Sequence, residues 1–394
     1  MLALRVALYN LCFRPVLTVV TVAILGLAVA QATTVLLLAR AVENGLVSAS
    51  RPFDLLVGAK GSPTQLIMSA ILLREAPVGN IPLAYFDKLR RDPRVASAVP
   101  LALGDSAYGT PLLGVGQALF SLADTATGSP YFTIARGRLF AQAFEAVAGS
   151  QAARRWPTGE TFHSQHGVLQ DTPGQAHAAL YTIVGVLHPS DTPLDRALFV
   201  PLDSYWQVHE EHEATERQIT VALIRPTGFT AFYQLHQEIN QDTVAQAVLT
   251  GQGMMRLFDV LGQGETMLHL VSWLALAMGA ATVFLVSYAV GTQRRRETAI
   301  LRALGAGRWS VFIVGLAEAL ITAIVGIVLG IVVGHITAWY IALQVHNASA
   351  LAIRPTFVPT ELSMAGAVLL LAAAAGLLPA VQSYRQEVAS HLER

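Results

Sequence analysis

Residues 293–320 read QRRRETAILRALGAGRWSVFIVGLAEAL. Up to Arg308 this stretch sets Arg294, Arg295, Arg296, Arg302 and Arg308 against a single acid, Glu297. Ile300, Leu301 and Leu304 recur at helical spacing, Gly305-Ala306-Gly307 breaks the pattern, and a new helix is expected to start at Arg308-Trp309. Long apolar runs lie on either side. An arginine-rich amphipathic element clamped between two apolar helices reads as the cytoplasmic turn of a membrane hairpin. Such an element cannot move without moving both helices.

Working outward, a spanning helix needs about 20 mostly apolar residues, because each residue rises about 1.5 Å through a core about 30 Å thick. Four segments meet or approach that length: residues 15–39, 265–291, 311–341 and 362–381. The third contains Glu318 near its start and His335 near its end. The first has a rival reading as a secretory signal, with Ala30-Gln31-Ala32 as cleavage site. Its apolar run continues through Val35–Leu38, past the roughly 7–15 residues of a signal core, so a retained helix is expected. Arg5 and Arg14 precede the first helix, and Arg385 and Arg394 follow the last. The loop at 342–361 carries only Arg354 and Glu361. The positive side is therefore the cytoplasm, both termini lie there, and residues 40–264 lie outside.

The expected fold class is a membrane protein: four transmembrane α-helices with a large extracytoplasmic α/β domain inserted between helices 1 and 2. A short amphipathic helix (1–14), a cytoplasmic turn (292–310) and a cytoplasmic tail (382–394) complete the plan. Composition agrees: 53% of the 394 residues are hydrophobic and only 13% charged. A net charge of +0 offers no bulk attraction for nucleic acid. Cys12 is the single cysteine, which excludes an intrachain disulfide or a cysteine zinc site, and it reads as a packed hydrophobe.

In residues 40–264 the periodicity turns to that of a soluble α/β domain. Tyr85–Arg91 reads as a helix, Val95–Pro100, Tyr181–Leu187 and Ile219–Ile224 as strands, and Phe229–Leu249 as a helix returning to the membrane. Gly58–Pro63 lacks the spacing of a phosphate-binding loop, and no such loop occurs anywhere in the chain, so ATP hydrolysis belongs to another polypeptide. No nucleophile elbow or metalloprotease motif appears, and the chain is not expected to be an enzyme by itself.

Histidines gather here: His163 and His166 three apart, His177 and His188, then His209 and His212 among Glu210, Glu211, Glu213 and Glu216. A His-x-x-His pair on a helix faces one way, and imidazole with carboxylate suits zinc. The candidate metal ligands are His163, His166, His177, His209 and His212, weighed against ordinary solvated histidines. A zinc site needs three or four ligands that converge, which spacing alone does not establish.

The stretch 293–320 resembles the cytoplasmic motif of the MacB/FtsX/LolC-type ABC-transporter permeases, the type VII or mechanotransmission group. Arg295, Glu297, Leu301, Arg302, Ala303, Leu304, Gly305 and Ala306 fit its R-R-x-E-I-x-x-L-R-A-L-G-A pattern, and Glu318-Ala319 fit its following E-A. The order of helices and external domain fits along the whole chain. The resemblance implies a bacterial inner-membrane permease, working as a homodimer with two copies of a separate ABC ATPase, which binds ATP and magnesium. It implies that Arg295, Glu297, Leu301, Arg302, Leu304, Gly305, Ala306 and Arg308 dock on that ATPase. It also implies a MacB-like periplasmic core with a porter part and an insert at about 115–177. A periplasmic adaptor or lipoprotein is a further expected partner. Glu318 is costly in lipid and is expected to face a partner helix. Export or extraction of a drug, peptide, lipoprotein or metal-related cargo is the leading function. The alternative is a non-transporting relay that activates a periplasmic enzyme or partner.

Overall fold

The computed structural model describes residues 2–123, 128–167, 176–209, 217–293 and 307–385, and they fall into two compact units. The first comprises residues 1–41, 262–343 and 354–394, the second 42–261 and 344–353. Helix α1 (Leu2–Phe13) precedes α2 (Pro15–Ser50), which runs beyond the expected end at residue 39. Its extension survives because Ala41, Leu46 and Ala49 are buried and compensate for the charges at Arg40 and Glu43.

In the first unit α2 is joined by the helices Thr250–Gln293, Arg308–Ser349 and Pro359–Arg385. Among the described residues, two helical stretches, Pro15–Ser50 and Phe312–Ser349, are long and apolar enough to cross a membrane, and shorter apolar stretches run over Leu270–Val286 and Pro359–Ala374. Leu25, Val29, Leu276, Val283, Ala323, Ile327, Val368 and Ala372 form a core to which all four helices contribute. Val16, Leu27, Leu274, Val328, Ile336 and Leu370 point outward and exposed, a surface that lipid tolerates and water does not.

Several polar groups in this unit find partners, although the Thr33 hydroxyl and Glu361 Oε2 are buried with no hydrogen bond among the described residues. Glu318 accepts a hydrogen bond from the Asn10 side chain on α1 at 2.6 Å. Glu361 is fully buried at the first turn of its helix, where it accepts from the Val358 N–H at 2.9 Å, and it lies 3.6 Å from His335 Nε2. Gly330 lets two backbones approach, since a Cβ there would sit 2.6 Å from the Gly26 carbonyl oxygen. Cys12 is exposed, not packed: Ala7 marks the buried side of α1, and Cys12, five residues on, falls away from it.

The second unit is built on one twisted sheet. Its strands are β1 (Leu55–Ala59), β2 (Ile81–Pro82), β3 (Val95–Ala107), β4 (Thr110–Val115), β5 (Ile134–Gly137), β6 (Glu145–Ala148), β7 (Thr161–His166), β8 (Ala176–Leu187), β9 (Leu198–Pro201), β10 (Gln218–Ile219), β11 (Val221–Pro226) and β12 (Ala245–Leu249). Helices α3 (Pro63–Ala70), α4 (Leu83–Arg90), α5 (Leu202–His209) and α6 (Phe229–Gln241) pack on it. The main order is β12-β1-β11-β3-β4-β9-β6-β8-β5, with β2 and β10 paired separately.

Strand β7 changes the topology. It pairs with β8 on one side and β3 on the other, so β3, β4, β9, β6, β8 and β7 close into a ring of six strands. The β3–β7 seam is its shortest join with β6–β9: only Asp105 opposite His166 and Ser106 opposite Gln165. Residues 115–177, the expected insert, supply β5, β6, β7 and the start of β8 to this same sheet. The alternating faces of the strands feed two apolar clusters, one around Leu113, Val147 and Phe199 and the other around Leu112, Tyr181 and Leu198.

The reading of Phe229–Leu249 as one helix needs correction. The helix stops at Gln241, Asp242 turns the chain, and Ala245–Leu249 forms an entirely buried strand antiparallel to β1. A five-residue apolar run carries no periodicity that separates strand from helix.

Two predictions test this architecture. Gly330→Val must displace Gly26 or Val29, and an overpacking cost of about 1–3 kcal/mol is expected as a lower unfolding midpoint in detergent. Glu145 is held down at about 2 by the Arg138 guanidinium, helped by the Ala141 and Gln142 N–H groups. Its contribution is present above the ordinary carboxylate range and is lost as pH falls from about 4.5 toward 2. Glu145→Gln should therefore flatten the acid limb of the stability–pH curve.

Candidate metal centre

The seam of the ring is where the external unit concentrates its ionisable groups. Strand β3 runs apolar through Leu101-Ala102-Leu103 and then meets Gly104-Asp105. The β3–β4 register shifts between Ala102 and Asp105, a bulge with Gly104 at φ +137°. That angle suits glycine, and the Gly104 carbonyl accepts from the Gly167 N–H at 2.8 Å, tying β3 to the end of β7. The bulge leaves Asp105 2% exposed although its strand neighbours are apolar or small.

Three histidines converge on that carboxylate. His166 Nδ1 lies 3.3 Å from Asp105 Oδ1, His209 Nε2 3.4 Å from the same oxygen, and His177 Nε2 3.5 Å from Oδ2. One ligand atom from each of the four residues lies within 4.8 Å of all the others. The imidazole rings touch one another, with centroids 4.5 Å apart for His166–His177 and 5.0 Å for His177–His209. The ligands come from β3, β7, β8 and the last residue of α5.

The surroundings hold the set in place. His209 Nδ1 lies 2.7 Å from the Tyr205 carbonyl one helical turn earlier, so Nδ1 carries a proton and Nε2 is the nitrogen presented to Asp105. The Tyr205 ring stacks on His209 at 4.7 Å. Burial pushes the Tyr205 phenol up, and the negative charge of Asp105 adds to it, so the phenol stays neutral. For His209 burial opposes the charged form, but Asp105 and the Tyr205 carbonyl outweigh it and the net direction is upward. His166 is the open side of the cluster at 64% exposed, against 12% for His177 and 30% for His209.

Of the five histidines that spacing suggests, the structure brings together His166, His177 and His209. His163 points elsewhere, its Nδ1 3.1 and 3.0 Å from the carbonyls of His177 and Ala179. It shares a strand with His166, not a helix, so the helical argument for that pair does not apply. His212 lies outside the described residues. Asp105 is the ligand that histidine spacing misses; its signal in the sequence is a lone acid beside a glycine in an otherwise apolar strand. Arg295, Glu297, Leu301, Arg302, Leu304, Gly305 and Ala306 also lie outside the described residues, and Arg308 begins the helix that runs to Ser349.

The chain thus combines an apolar helical unit, with two helices long and apolar enough to cross a membrane among the described residues, and a separate α/β unit. The MacB-like periplasmic core domain family matches residues 18–249, and the FtsX-like permease C-terminal family matches residues 270–388. The chain belongs to the MacB/FtsX-type ABC-transporter permeases, a class that works with ABC ATPase partners. Among solved structures it is similar to the periplasmic region of MacB from Actinobacillus actinomycetemcomitans, at 11% identity and TM-score 0.34 over 53% of this chain and 95% of that one. It is also similar to the extracellular domain of the noncanonic ABC-type transporter YknZ from Gram-positive bacteria, at 11% identity and TM-score 0.30 over 49% and 98%. No curated protein matches the chain in sequence.

Gly104→Ala places a side chain at φ +137°, and backbone strain of about 1–3 kcal/mol is expected as a lower chemical-unfolding midpoint of the full chain.

Proposed function

We propose that this chain is the four-span permease subunit of a transporter whose ATP is hydrolysed on a separate ABC ATPase. Movement would reach the external domain through the helices. Two family matches carry the reading, one over residues 18–249 and the other over 270–388, together accounting for both units. A homodimer with two ATPase copies supplies the working assembly, in the bacterial inner membrane with both termini cytoplasmic. The chain itself performs no hydrolysis, because none of its loops has the spacing that cradles phosphate. A periplasmic adaptor or lipoprotein on the outer side remains part of the proposal.

The coupling role falls on Arg295, Glu297, Leu301, Arg302, Leu304, Gly305, Ala306 and Arg308. Apolar Leu301 and Leu304 would seat in the ATPase surface, and the arginines would meet its acidic rim. Glu318, held by Asn10, ties α1 to the helix that follows this element, so a displacement there has a polar contact through which to act. Work delivered outside the membrane means extraction or export of a drug, peptide, lipoprotein or metal-related cargo.

The double variant Leu304→Asp, Gly305→Glu tests the coupling assignment. Permease-stimulated ATPase activity should fall to that of the ATPase alone, while the permease's own unfolding midpoint stays unchanged. Full stimulation with normal assembly would refute the assignment. A reporter fused at residue 150 that behaves as cytoplasmic would refute the topology.

A further inference from the structure

We propose that Asp105, His166, His177 and His209 bind one zinc ion, and that the ion reversibly locks the seam where β7 closes the six-stranded ring against β3. The inference concerns the external unit alone and stands whether or not the ATPase reading holds.

Distance is the first argument. An ionised carboxylate that accepts directly from imidazole N–H groups draws them to about 2.7–2.9 Å. Here all three separations are 3.3–3.5 Å, too long for that contact. Arms of about 2.1 Å arranged tetrahedrally around zinc put neighbouring ligand atoms about 3.4 Å apart. The three Asp105–histidine separations match that edge, and all four ligand atoms lie within 4.8 Å of one another, close enough to converge on one cation.

Charge is the second. A carboxylate 2% exposed needs a compensating positive charge, and Asp105 Oδ2 is buried with no hydrogen bond among the described residues. A single protonated imidazole would supply that charge but would engage one ring only, leaving the other two, in ring contact with it, without a shared partner. One divalent ion neutralises the carboxylate and accepts the lone pairs of three neutral rings together. The 2.7 Å contact from His209 Nδ1 to the Tyr205 carbonyl is the outer-sphere support that metal-bound histidines commonly have.

The donor set selects the ion. Three imidazole nitrogens and one carboxylate oxygen suit zinc and its neighbours, whereas magnesium and calcium require oxygen ligands and monovalent copper prefers sulfur. Four protein ligands complete a tetrahedron and leave no position for a reacting water, so the ion's role is structural or sensory and not hydrolytic. The open side at His166 lets it exchange with the medium.

Position assigns the consequence. Asp105 and His166 are direct cross-strand partners in a join of only two residue pairs, while His177 lies near the start of β8 and His209 ends α5. An ion held by all four fastens β3, β7, β8 and α5 at one point. Without it the join rests on two backbone pairs and the Gly167–Gly104 hydrogen bond.

The test uses the full chain in detergent micelles, stripped with chelator and titrated with zinc against a chromophoric competitor. About one zinc per chain is expected, with millimolar calcium or magnesium unable to displace it. His177→Ala and His166→Ala should each weaken binding roughly 100-fold or more, while His163→Ala leaves it unchanged. His166 is solvent-facing, so its removal is the variant that keeps the fold. Hydrogen exchange should slow on zinc addition at residues 104–106 and 164–167 and stay constant in β1 and β12. Absence of bound zinc, or equal binding by wild type and His166→Ala, would overturn the site. Zinc bound with unchanged exchange at the seam would overturn the lock.

Discussion

A buried carboxylate has to be neutralised, and in this protein that requirement is placed at one of the two shortest joins of a closed sheet. Asp105 sits where β3 bulges, opposite His166, in a seam of two residue pairs. The neighbouring joins are longer: β7 to β8, β3 to β11 and β1 to β12 each run over four to six pairs. At the β3–β7 seam the side chains have to contribute, and the side chains present are three imidazoles and an acid.

The first unit meets a related demand differently. Its carboxylates lie among apolar helices with protein groups beside them: Asn10 donates to Glu318, and the Val358 N–H donates to Glu361 Oε1 with His335 3.6 Å from the other oxygen. Small residues let α2 and the Arg308–Ser349 helix approach at Gly26 and Gly330. Exposed leucines, valines and isoleucines then cover the outside of the bundle. The same chain thus carries one surface suited to lipid and one suited to water; the MacB-like match runs from α2 through the second unit, and the FtsX-like match covers mainly the later helices of the first.

Much of this was legible before any coordinates. Length and apolarity mark the helices because a bilayer imposes a minimum on both. The arginines between residues 294 and 308 set the expected cytoplasmic side, an expectation that rests on the sequence alone. Local pattern failed where a segment is short and wholly apolar: Ala245–Leu249 looks the same as helix or strand until β1 is beside it. At the site, the concentration of histidines pointed to His166, His177 and His209, but their convergence depends on ring closure between strands far apart in sequence. His163 was drawn in by a helical spacing that a strand does not honour. Asp105 escaped because its partners arrive from 61, 72 and 104 residues away (166 − 105, 177 − 105 and 209 − 105).

If the four side chains hold an ion as proposed, their unequal exposure would set a kinetic order for its release. Asp105 is shut in and His177 nearly so, whereas His166 stands in solvent. Release of an ion would begin with one rotamer change at His166, opening a path for a competing donor to attack before the inner ligands let go. A chelating partner presented to that face could take the ion by ligand exchange far faster than spontaneous dissociation allows. Affinity and turnover would then be set by different residues, the first by the buried carboxylate and the second by the exposed ring.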